Sequence, residues 1–172
     1  MPNEISIEFE GVKRELIQAI SAFNEEEFNT IPFKGSWTAG QVAEHVYKSV
    51  SAFTKGLYGK VKPTTRQPDE KVEPIRKAFM DFDTKMSSPD FILPSNAFHD
   101  KNAILSSLKS TMDKISEAIK KFDLSETCLS FVPPAIGELT RLESIYFVIY
   151  HTKRHIHQLK NISSKLRIVS RE

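Results

Sequence analysis

The stretch FVIYHTKRHIHQLKN, residues 147–161, decides how the chain is read. Three of the five histidines fall inside it, at positions 151, 155 and 157. Ile145, Val148, Ile149, Ile156 and Leu159 recur at the three- and four-residue spacing of an amphipathic helix. On that helix His151 and His155 lie about 40° apart around the axis, on one face. They sit at or just beyond the edge of the apolar stripe, so both face inward. His157 lies about 160° from His155, beside Lys153, and points away from the stripe. The pair has two readings: half-buried imidazoles bonded to neighbours, or two ligands for one cation. HTKRH is not a zinc-peptidase motif, because Thr152 stands where such an enzyme carries its general-base glutamate.

Upstream, Thr140 and Glu143 form a capping box that opens this last helix, which is expected to run to about Ser164. The tail KLRIVSRE carries no assignment. Thr38 and Gln41 form a second box, opening a helix through TAGQVAEHVYKSVSAFTKGLYG. Val42, Val46, Ser49, Val50, Phe53 and Leu57 share one stripe of it, and Gly56 and Gly59 end it. Asp100 caps a third helix whose face is Ile104, Leu105, Leu108, Met112, Ile115 and Ile119. A first helix is expected from Ile5 to Phe28, before Pro32 and Gly35 break the pattern.

Residues 60–98 carry Pro63, Pro68, Pro74, Pro89 and Pro94, and read as a crossover with one short helix in IRKAFMDFDTKM. A connection this long crosses a bundle end or lids a site. DLSETCLSFVPPAIGE reads as a loop. Four long amphipathic helices with few strand signals give an all-α four-helix bundle, one domain over residues 1–172.

Bulk properties narrow the function. A net charge of +2, with Lys and Arg spread among nearly equal acids, argues against a nucleic-acid partner. No apolar run approaches the ~18 residues of a membrane span, and the N-terminus lacks the apolar core of a signal peptide. A cytoplasmic protein without membrane association is expected. Cys128, the single cysteine, excludes an internal disulfide and reads as a packed small residue.

His45 lies in WTAGQVAEHVYKSV on the flank of the second helix's stripe. By itself it reads as a core-edge imidazole bonded to a carbonyl. Together with His151 and His155 it completes a set of three imidazoles on facing helices, where bundle proteins build metal sites. Three neutral nitrogens with open positions are a catalytic rather than a closed structural type of site, and suit zinc, nickel or another late divalent ion. His99, ahead of the Asp100 cap, reads as a surface residue. Gln158 is placed to hydrogen-bond a ligand ring from behind. Glu44 points about 100° away from His45. Lys48 and Arg154 either hold a cofactor carboxylate or are simply solvated.

These residues resemble the signature of the DinB-like superfamily, which includes the YfiT-type proteins regarded as metal-dependent hydrolases. The resemblance rests on SWTAGQVAEH, with Trp37 and His45, and on HTKRHIHQL, with His151, Arg154, His155, Ile156 and Gln158. The lead-in GELTRLESIYFVIYH is also similar. The likeness spans the second to the fourth helix. It implies a four-helix bundle in up-down-down-up order with the long crossover between helices 2 and 3. It also implies a zinc or nickel ion held by His45, His151 and His155, and frequent homodimers. Relatives include S-transferases that use the low-molecular-weight thiols bacillithiol or mycothiol, and a maleylpyruvate isomerase.

The expected function is therefore a metal-dependent enzyme acting on a small molecule, a thiol S-transferase or a hydrolase, in metabolism or detoxification. Its metal would activate a thiol or a water, with no side chain standing out as catalytic base. The alternative is a non-catalytic, stress-related bundle that binds a metal or a ligand. A third reading, a bundle without metal, leaves the histidines as packing residues.

Overall fold

The helix starts marked by capping residues fall where the sequence puts them. The computed structural model describes residues 2–171. Thr38 caps α3 (Ala39–Tyr58) and Thr140 caps α6 (Arg141–Val169), each with its reciprocal box to Gln41 or Glu143. Asp100 caps α5 (Lys101–Lys121) through the Ala103 amide. The crossover holds one short helix, as expected, but α4 (Val72–Met80) starts before Ile75 and stops at Met80, well short of Met86.

Two boundaries of the long helices also differ from expectation. The first helix, α1 (Pro2–Ser21), stops well before Phe28. Asn24 opens a separate turn, α2 (Glu25–Phe28), accepting from the Glu27 amide at 2.8 Å while Glu27 returns a bond to the Asn24 amide. This is the same kind of box that marks α3 and α6, so the turn was available to read. At the other end, α6 continues past Ser164 to Val169. No Pro or Gly interrupts that segment, and Leu166 extends the stripe of Leu159 and Ile162 onto the core.

Ile5, Phe9, Leu16 and Ile20 of α1, Val42, Val46 and Leu57 of α3, Leu108, Met112 and Ile115 of α5, and Ile145, Ile149 and Leu159 of α6 meet in one core. Both α1 and α3 pack against α5 and α6, so the helices run around the bundle in the order α1, α5, α3, α6. Polar contacts fix their directions. Glu8 and Glu15 pair with Lys153 and Lys160, so α1 and α6 are parallel. Glu10 and Lys13 meet Ser116 and Asp113, so α1 and α5 are antiparallel. Tyr58, at the end of α3, donates to the Lys114 carbonyl late in α5, so α3 and α5 are parallel. Arg141 at the start of α6 donates to the Leu57 carbonyl at the end of α3, making that pair antiparallel. The order is up-down-down-up.

The crossover, residues 59–100, is stitched down along its length. Val61–Lys62 (β1) pairs antiparallel with Thr127–Cys128 (β2), a contact the sequence did not announce. Two-residue strands carry no detectable alternation. Farther on, α4 packs against α6, and a 3-10 turn, Asp90–Ile92, packs against α3. Cys128 is buried, as expected, and burial pushes its thiol pKa up. No described helix is long and apolar enough to cross a membrane.

Candidate metal centre

His45 sits two turns into α3, and His151 and His155 lie on the facing stretch of α6; all three are buried. Their Nε2 atoms converge. His151 Nε2 lies 3.1 Å from Nε2 of His45 and 3.1 Å from Nε2 of His155. Three ligand atoms, one from each ring, all lie within 4.8 Å of one another. Metal–imidazole bonds of roughly 2.0–2.1 Å place neighbouring nitrogens about 3.0–3.4 Å apart, so the spacing fits one shared ion.

The outer nitrogens define the tautomers. His45 Nδ1 lies 2.9 Å from the Ile92 carbonyl oxygen, which only accepts. That nitrogen therefore carries the proton, and Nε2 presents a lone pair. Gln158 Oε1 accepts from His155 Nδ1 at 2.8 Å and fixes the second ring in the same way. A proton on His151 Nε2 can be directed at one of these lone pairs, which leaves the other facing it without a bond. Charging a ring does not relieve the conflict. Burial, then the neighbouring histidines and Arg154, push His151 well below the usual imidazole pKa. Burial and His45 lower His155 to about 3, against the raising effect of Gln158. Burial also lowers His45. The cluster is held neutral, with lone pairs pointed inward, which is the state a cation binds.

The rings are held by aromatic neighbours. Trp37 lies against His45 with centroids 5.1 Å apart, and Phe79 and Phe147 flank His151 at 5.4 and 5.6 Å. Beyond them a cleft of about 730 Å³ opens between α3, α6, the crossover and the loop before α6. Its walls are largely aromatic. Phe131 reaches the wall because Gly56 has no side chain: a Cβ there would come within 3.2 Å of the Phe131 Cβ. Arg154 holds the crossover over the site, donating to the carbonyls of Phe79, Asp81 and Thr84. Its guanidinium is thus engaged with the main chain at the partly exposed rim of the cleft. Lys48 is likewise engaged, with Glu44 and the Leu93 carbonyl.

The remaining histidines divide. His157 stays outside the cluster, as the helix geometry requires, and stacks on Phe82 at 4.1 Å. His99 is not a surface residue: it is buried, with its ring packed on Gly40, where a Cβ would approach to 2.8 Å. Its Nε2 lies 2.5 Å from Glu44 Oε2, and its amide donates to Asn29. Glu44 thus turns away from His45, as expected, and finds His99. Burial raises its pKa, but bonds from His99, Ser95 and Lys48 outweigh that and lower it to about 2. The Ile92 carbonyl was not foreseeable as a partner of His45, since nothing in local sequence marks a main-chain group 47 residues away.

Up-down-down-up order and this histidine cluster define a class of bundle, and the comparisons place the chain in it. The profile of the DinB superfamily matches residues 8–159, so the chain belongs to that superfamily. YuaE of Bacillus subtilis (strain 168), an uncharacterised protein, is 24% identical over 158 residues, covering 92% of this chain and 96% of YuaE. Among solved structures, YfiT from Bacillus subtilis is described as a probable metal-dependent hydrolase with an unusual four-helix bundle topology. It shares 18% identity at a TM-score of 0.60, covering 96% of this chain and 87% of its own. TT2238, a four-helix bundle protein, shares 18% identity at a TM-score of 0.56, covering 94% of this chain and 99% of its own.

Proposed function

We propose that the chain is a metal-dependent enzyme in which His45, His151 and His155 hold one divalent ion, zinc or nickel, beside a small-molecule cleft. The observation that carries this reading is the pair of close Nε2 contacts whose lone pairs cannot all be satisfied by protons. The description of YfiT supports the same direction, because it names metal-dependent hydrolysis for a protein of this fold. Bound there, a divalent ion would supply Lewis acidity, lowering the pKa of a water toward about 7 in the best zinc sites and holding a thiol as thiolate.

The chain's own contribution is positional. Ile92 and Gln158 hold two imidazoles in the tautomer that directs Nε2 inward. Phe79, Phe147 and Trp37 restrict water around the rings, and Arg154 keeps the crossover closed above them. Among the described residues no carboxylate lines the cleft, so none of their acidic side chains is placed to shuttle protons. That suits a nucleophile activated directly, a low-molecular-weight thiol or a water, and gives thiol S-transfer and hydrolysis the same requirement. The missing acid also favours a second reading, a non-catalytic metal- or ligand-binding protein, in which the ion takes up no exchangeable ligand.

Elemental analysis of protein purified without a histidine tag tests the site. About one transition-metal ion per chain is expected. An ion that stays bound after His45, His151 and His155 are all replaced by alanine would sink the assignment.

A further inference from the structure

The cleft contains one buried polar group with no evident structural use. Ser49 stands one turn after His45 on the same face of α3, about 6 Å farther along the axis at 1.5 Å per residue. It is only 3% exposed and lines the cleft. Its hydroxyl has no hydrogen-bond partner among the described residues. The hydroxyl opens onto the cleft rather than being sealed in the wall, so water or a ligand completes it. Thr54, on the same helix, shows the ordinary solution, donating back to the Val50 carbonyl at 2.7 Å. Ser49 does not.

The surroundings define what completes it. Phe53 stacks on Phe147 at 4.3 Å, Phe131 meets Phe53 edge-on at 5.0 Å, and Phe91 meets Phe131 at 5.9 Å. This aromatic path leads from the mouth, where Phe91 is 49% exposed, to the ring of His151. The charge is one-sided. Among the described residues no carboxylate lines the cleft. Arg154 is engaged with the crossover carbonyls and lies near Asp81, whereas Lys85 has no ion-pair or hydrogen-bond partner among the described residues.

We infer that the cleft takes a small molecule with an aryl body and a carboxylate, the rings of Phe53, Phe91 and Phe131 receiving the body and the Ser49 hydroxyl donating to the polar end. The inference rests on the metal reading only for where a reactive end of the ligand would lie. A cleft of this volume suits such a ligand, with an apolar wall for affinity and a few polar groups for orientation.

The probes are 4-phenylbutyrate, butyrate and 4-phenylbutylammonium, titrated into the purified full chain. Trp37, the only tryptophan and itself in the cleft wall, reports binding by fluorescence, and calorimetry gives the affinity. Phenylbutyrate is expected to bind at least about tenfold more tightly than either other probe, since the first lacks the ring and the second reverses the charge. Ser49→Ala is expected to weaken phenylbutyrate about fivefold while leaving thermal stability about unchanged, because the hydroxyl it removes faces the cleft and holds no protein partner. Phe91→Ala, at a half-exposed site, is expected to weaken it comparably. Equal affinity for the three probes, or unchanged affinity in Ser49→Ala, would overturn the inference. Metal content measured on the same samples separates the two readings. A metal-free protein that still shows the preference leaves this one standing, and a metal-loaded protein without it leaves only the other.

Discussion

Near its start, α6 buries the carboxylate of Glu143; two turns later it buries the imidazoles of His151 and His155. The carboxylate is 0% exposed, and each oxygen accepts two donors. Oε1 takes Arg66 Nη1 at 2.6 Å and the Lys71 amide at 2.8 Å. Oε2 takes Arg66 Nη2 at 2.7 Å and the Thr140 amide at 2.9 Å. Every lone pair has a proton aimed at it, and the group pins the crossover to the bundle. In the histidine cluster the outer nitrogens of His45 and His155 are satisfied and the inner ones meet only one another. A closed polar cluster accounts for itself as structure. One that is finished on the outside and open on the inside points to a guest.

Breaking the closed cluster should have the largest effect. Glu143→Ala takes from Arg66 its carboxylate partner, leaves the Lys71 and Thr140 amides without theirs, and frees the start of the crossover. It should cost about 3–5 kcal/mol in urea unfolding while metal content stays unchanged. The open cluster should respond the other way. His151→Leu keeps the volume and removes the nitrogen that the other two rings face, so bound metal should vanish. The metal-free protein loses one donor to a buried lone pair and should fall by only about 1–2 kcal/mol. A large loss of stability without metal would mean that the imidazoles are packing residues after all.

A smaller effect separates the two layers of the open cluster. Gln158→Leu leaves all three rings in place but releases the tautomer of His155, and metal affinity should fall about 10–100-fold in a competitive chelator titration. The smallest effect is in pH. Unfolded histidine takes a proton near its ordinary value of 6.5, whereas His155 refuses one until about 3. The unfolded state therefore binds more protons between those values. Metal-free stability should be full above pH 6.5 and decline as pH falls through that window. Burial raises the pKa of Glu143, but Arg66 and the Thr140 and Lys71 amides outweigh it and hold it below its ordinary 4.5, so its contribution is lost only below that pH. Thermal melts between pH 4.5 and 6.5 should slope in the native chain and slope less steeply in His155→Leu, where His45 and His151 still resist protonation.

What could be read from sequence follows the same division. Helix faces and capping boxes are local patterns, so α3, α5 and the start of α6 were legible, as was the shared face of His151 and His155. His45 was legible through its position on the stripe and through family resemblance. Pairings across the crossover were not. Arg66 with Glu143, His99 with Glu44 and Ile92 with His45 each join residues that no periodicity connects, and they depend on where a proline-rich segment comes to rest. His99 was misread for that reason: a histidine ahead of a helix cap looks exposed until the chain folds it against Gly40.

Parallel neighbours impose a journey. Because α3 and α5 point the same way, the chain must travel back the length of a twenty-residue rod, about 30 Å, before it can begin again. Fully extended, about ten residues would cover that distance. Residues 59–100 are far more than the return trip requires, and the surplus forms the roof that faces the histidines. An alternating up-and-down bundle could close the same gap with a tight turn and leave those rings under open solvent. The ceiling of this pocket is thus a by-product of direction, tied to the pillars through Ile75 and Phe79 in the core and Arg66 on Glu143.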